Sequence, residues 1–137
     1  MSDLKRFLNA QQRDYATALS EIKSGRKRSH WMWYIFPQIA GLGYSDMAKR
    51  FAIADLSEAT EYLAHPVLGK RLKEIAAALL ELDSHNATQV MGSPDDLKLR
   101  SSMTLFALVE GTDSVFTAVL KKFFDGHKDP ATLQLVR

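Results

Sequence analysis

GRKRSHWMWYIFPQ, residues 25–38, runs three consecutive cations (Arg26, Lys27, Arg28) through Ser29 and His30 into six apolar or aromatic residues, Trp31 to Phe36. Read as a helix, Trp31 and Ile35 share one face while Met32 and Phe36 share another. Read as a strand, both faces are again apolar. The segment therefore has to be buried on all sides, with a cationic collar at its mouth, and the rest of the chain has to supply the surrounding walls.

Those walls read as helices. Upstream, Ser2 or Asp3 can cap a helix to about Ser24, with Leu4, Phe7, Leu8, Tyr15, Ala18, Leu19 and Ile22 at helical spacing. Gln11 interrupts that stripe, either partly exposed or locally bonded, or else aimed into a polar pocket. Gly25 ends the helix. Downstream, residues 37–43 are a turn-rich connector. Gly41 and Gly43 fall short of a dinucleotide-binding loop, because Asp46 stands where the third glycine belongs and no strand precedes.

Ser45 or Asp46 opens a short helix, and Asp55 with Glu58 has capping-box spacing at the head of another that stops near His65-Pro66. Leu68, Leu72, Ile75, Leu79 and Leu82 form a narrow seam on the next. Ala87 to Met91 makes about one turn. Ser93-Pro94-Asp95-Asp96 is the clearest helix start in the chain, with Ser93 as cap and Pro94 at the first helical position. The helix it opens, to about Val109, is apolar nearly all round in its second half and belongs in the interior. Lys98, Arg100, Ser101, Ser102 and Thr104 are nonetheless threaded through it. Val115 to Phe124 and a short helix after Asp129-Pro130 complete the set. The expectation is an all-α, compact bundle of about five main helices plus short helical turns, without significant β-sheet, and one domain over 1–137.

Bulk composition narrows the function classes. The 137 residues carry 18 cations against 16 anions, so a nucleic-acid role would rest on local clustering rather than on overall charge. There is no cysteine, which excludes disulfides, thiol catalysis and thiolate metal sites and fits a reducing compartment. No two histidines have ligand spacing, so no metal is expected. No apolar run approaches a membrane span, and residence in the cytoplasm is the expectation.

Two constellations carry candidate chemistry. In the first, Arg26 and Arg28 present planar forks to an anion, Ser29 and His30 add donors, and Trp31 or Trp33 offers a stacking face. The plainer account is a solvated loop after a helix C-terminus, beside core tryptophans. In the second, Lys98, Arg100, Ser101 and Thr104 line a cavity from the inner helix. Here the plainer account is hydroxyls bonded back to the carbonyl four residues earlier. A serine nucleophile at Ser101 or Ser102 would need a histidine base such as His30. A third cluster, residues 125–129, could hold a cation but reads as well as a capped turn.

Together, residues 25–33 and 35–38, His65-Pro66-Val67-Leu68-Gly69, residues 98–106 and Phe124-Asp125-Gly126 resemble the bacterial family catalogued as domain of unknown function 1810. Some members carry the label calpastatin, which these residues do not support. The resemblance covers almost the whole chain. It implies a small, mainly helical protein and brings no activity, cofactor or catalytic residue with it. From the residues themselves the first functional reading is a site for a small anionic, phosphorylated or nucleotide-like ligand, bound or turned over. The second is a non-catalytic module whose Arg26–Trp33 surface meets a protein partner or single-stranded nucleic acid. The third is structural: the aromatic block is pure core, and any interface is that of a homodimer.

Overall fold

The computed structural model describes residues 3–136, so Ser2 as a helix cap lies outside the described residues. Nine α-helices appear among them: α1 Lys5–Lys23, α2 Met32–Ile35, α3 Asp46–Arg50, α4 Leu56–Ala64, α5 Leu68–Leu80, α6 Ala87–Met91, α7 Asp95–Ala107, α8 Val115–Phe124 and α9 Pro130–Leu135. Five are main helices and four are single turns, as expected. The one extended pairing among the described residues is an isolated bridge between Ile39 and Ile53.

The local chemistry is mostly as read. Gly25 takes φ +88° directly after α1. Ser45, Asp55, Asn86 and Asp129 cap α3, α4, α6 and α9 through their side chains. Ser93 does not cap α7: the helix starts one residue later than expected, with Pro94 itself at the N-cap and no side-chain cap. Asp95 and Asp96 still occupy its first turn, where they meet the positive end of the dipole.

Helix α7 packs on α4, α6, α8 and α9. Contact with four neighbours is why its residues 101–106 are all buried. A relay of rings ties this helix to the rest. Phe7 of α1 meets Tyr62 of α4 edge-on at 5.1 Å, Tyr62 meets Phe106 of α7 at 5.4 Å, and Phe106 meets Phe116 of α8 at 5.9 Å. Gln11 is buried rather than partly exposed. It donates to the Tyr34 carbonyl (2.8 Å) and the Tyr62 hydroxyl (2.9 Å) and accepts from Arg71 (3.4 Å). Every polar atom of that buried amide is thus engaged, as a low-dielectric interior requires.

The C-terminus of α5 is closed from outside the helix. Lys122 of α8 donates its ammonium to the carbonyls of Leu79 (3.2 Å), Leu80 (3.0 Å) and Leu82. A cation placed on the last carbonyls satisfies groups the helix leaves unpaired and complements its dipole. Lys122→Met is expected to lower stability by about 1–2 kcal/mol, seen as a fall of about 3–6 °C in thermal denaturation. Lys121→Met, at an exposed neighbour, is the control that should not move.

Candidate functional site

The fold splits the cationic collar into an inner and an outer set. Lys27 turns inward, pairs with Asp95 at 2.9 Å, and lies over the Trp31 ring at 4.9 Å. Arg26, Arg28 and His30 point to solvent. Glu21, which the sequence did not mark out, organises the segment between them. Its carboxylate accepts from the Arg28 N–H (2.8 Å), the Ser29 N–H (3.0 Å), the Ser29 hydroxyl and the Trp31 indole N–H (2.9 Å). Partial burial works against its charge. The four donors outweigh that penalty and hold its pKa at about 2, against an ordinary 4.5.

Trp31 is 1% exposed and belongs to the core, as do Met32, Tyr34, Ile35 and Phe36. Trp33 alone of that block is half-buried, and it faces a cleft. Its walls are α7, the 38–45 loop, the second half of α3 and the start of α9, and its volume is about 540 Å³. That size suits a small organic ligand.

Of the residues expected to bind, Trp33, Lys98, Arg100 and Ser101 line this cleft together. Arg26, Arg28, Ser29, His30, Trp31, Ser102 and Thr104 do not. Arg28 and Arg100 therefore do not converge on one opening. Ser29 and Trp31 are engaged with Glu21, and Thr104 is fully buried, donating to the Arg100 carbonyl (2.8 Å) and accepting from the Asp129 N–H (2.9 Å). Ser102 is also fully buried, and its hydroxyl has no partner. No histidine lines the cleft, so Ser101 has no imidazole base there. Residues 125–129 form a capped turn, and no metal-holding cluster exists among the described residues.

Asp129, Lys49 and Leu97 join the expected residues at the cleft. Asp129 caps α9 and reaches across to α7. Its Oδ2 accepts from Ser101 Oγ (2.8 Å), Thr132 Oγ1 (2.6 Å) and the Thr132 N–H (3.3 Å). Burial alone would raise its pKa, but the donors from Thr132 and Ser101 and the Arg100 charge lower it, so it is ionised at neutral pH. The lining then carries three cations, Lys49, Lys98 and Arg100, against one carboxylate.

Arg100 is the anomaly. Its side chain is 29% exposed, its ion pair to Asp129 is 3.6 Å long, and its buried Nε has no hydrogen-bond partner. A guanidinium carries five N–H donors, and none of those of Arg100 finds an acceptor at hydrogen-bond distance among the described residues. Lys98 lies over the Trp33 ring at 5.4 Å and 3.5 Å from Asp95. The cleft thus offers a positive end beside an aromatic wall, with Tyr44 (83% exposed) and Leu97 (53% exposed) at its mouth.

Residues 1–136 match the family described as protein of unknown function (DUF1810), and the chain belongs to that family. It is similar to the crystal structure of the conserved hypothetical protein Rv1873 from Mycobacterium tuberculosis, with a TM-score of 0.96 and 45% sequence identity over 98% of this chain and 96% of that one. No curated protein matches the chain at a significant level. Among the described residues no helix is long and apolar enough to cross a membrane.

Proposed function

We propose that this DUF1810 member binds a small anionic ligand, phosphorylated or nucleotide-like, in the cleft between α7, the 38–45 loop and α9. The buried Arg100 Nε, which has no acceptor among the described residues, carries the reading. A guanidinium N–H buried without an acceptor is unfavourable for folding and becomes favourable once a ligand brings one. Lys98 and Lys49 add charge, and Trp33 offers a ring face. The setting that goes with such a ligand is the cytoplasm, and the unit that binds it is one helical domain.

The signature of a site that sacrifices stability for binding is a substitution that separates the two. Arg100→Met is expected to leave unfolding stability within about 1 kcal/mol of the wild type, while weakening binding of phenyl phosphate or a mononucleotide about 10- to 100-fold. Thermal-shift measurements read both quantities, because a ligand specific to the native state raises its melting temperature. A variant that binds these anions as well as the wild type does would overturn the proposal. So would a wild-type protein that none of them shifts.

One observation favours the interaction-module reading instead. Tyr44, Leu97 and Leu135 are among the exposed large apolar residues, and all three sit around this mouth, Leu135 lying against Gly41 of the lining loop. A protein partner or a second copy would cover them. Light scattering of the wild type and of Leu97→Ser tests the second-copy case: a dimer that dissociates on substitution supports it, and a monomer in both removes it.

A further inference from the structure

One atom in the cleft does not suit a site built only for anions. Asp129 Oδ2 is filled by three donors, whereas Oδ1 receives no hydrogen bond from the described residues. The nearest cation to Oδ1, Arg100 Nη2 at 3.6 Å, stands beyond hydrogen-bond reach. A carboxylate at this place repels any anion held by Arg100. Asparagine or serine would cap α9 comparably without that repulsion. The aspartate therefore adds something an anion alone does not use: an acceptor oxygen beside a donor fork, each with spare capacity.

A ligand that satisfies both carries a hydrogen-bond donor a few bonds away from its negative group. The donor can be a neutral hydroxyl or a cationic amine. The lining charge decides between them, because three cations against one carboxylate suit a ligand of about two negative charges. An ammonium would cancel one of those charges, whereas a hydroxyl leaves both. Trp33 at the wall adds a place for a planar ring.

Building on the anion-site reading above, we propose that the ligand is a phosphate monoester bearing free hydroxyls, of the kind a ribonucleoside 5′-monophosphate presents. Its phosphate lies on Arg100 and Lys98, and one ribose hydroxyl donates to Asp129 Oδ1. Asp129 is then the residue that selects hydroxylated phosphates over bare ones. Asp129→Asn probes this directly. Its amide oxygen can take over the Oδ2 contacts and the helix cap, while its amide nitrogen replaces the free acceptor with a donor and removes the charge.

The test is calorimetric titration of adenosine 5′-monophosphate, its 2′,3′-dideoxy analogue and phenyl phosphate into wild type and Asp129→Asn. The wild type is expected to bind the ribonucleotide at least about tenfold more tightly than the dideoxy analogue, since a site built to accept a hydroxyl rejects the ligand lacking it. In Asp129→Asn that ratio should fall to within about twofold, with the dideoxy analogue bound no more weakly than before. Equal wild-type affinities for the two nucleotides would overturn the hydroxyl selection, while phenyl phosphate binding that disappears in Arg100→Met would keep the anion site. A ratio that survives in Asp129→Asn would place the hydroxyl elsewhere and also overturn it. Failure of all three probes to bind the wild type overturns both readings. Should the variant fail to fold, the two wild-type nucleotide affinities decide by themselves.

Discussion

Gly69→Ala is expected to unfold the protein or to lower its stability by at least about 4 kcal/mol, the largest effect of any single methyl group we identify. In an ordinary helix the same change stabilises by about 1 kcal/mol, because alanine loses less backbone freedom on folding. Gly69 lies in the first turn of α5, where α4 folds back through His65 and Pro66. A Cβ there would stand 2.0 Å from the Leu63 carbonyl oxygen and 2.8 Å from its carbon. Both are backbone atoms, so no rotamer change relieves the overlap and the two helices must separate. Separation would disturb Leu68 and Leu72, which are buried at that junction. Soluble yield and thermal denaturation of the variant measure the effect, and a melting temperature equal to that of the wild type would refute the close crossing.

The second large effect is at Glu21. Glu21→Ala leaves four donors of residues 28–31 without their acceptor and is expected to cost about 3 kcal/mol, or about 10 °C in melting temperature. A pH dependence goes with it. The carboxylate has a folded-state pKa of about 2, below the ordinary 4.5, so its stabilisation is fully present above that ordinary value and is lost as pH falls from there toward 2. With allowance for solvent at the loop's edge, the charge contributes about 2 kcal/mol. Glu21→Gln should therefore be less stable than wild type at pH 7, and the difference should shrink between pH 4.5 and pH 2. Urea denaturation at pH 7, 4 and 2.5 follows this. A gap that stays constant across that range would show that shape rather than charge holds the segment.

The separation of Arg26 and Arg28 from the cleft follows from the same carboxylate. Chain neighbours of an aromatic block look like neighbours of a site, but Glu21 binds the backbone of residues 28 and 29 and draws the Trp31 indole inward. The two arginines are left on the outer side. No periodicity marks Glu21 for this role, because its partners lie beyond the end of its own helix.

What the chain determined by itself was local. Apolar spacing set the helices, glycine and the Ser45, Asp55 and Asp129 caps set several of their ends, and the nearly all-round apolarity of the second half of α7 put that half inside. Such signals act within a few residues, where side-chain spacing and backbone propensity decide the outcome. The cleft was settled at longer range. Ser101 meets Asp129 across 28 positions, and Trp33 meets Lys98 from a different helix at 5.4 Å. Which of two tryptophans reaches solvent, and which of several arginines keeps a buried N–H without an acceptor, depends on contacts between elements far apart in the chain. Burial and unpaired charge are properties of the packed molecule, and no stretch of residues carries them alone.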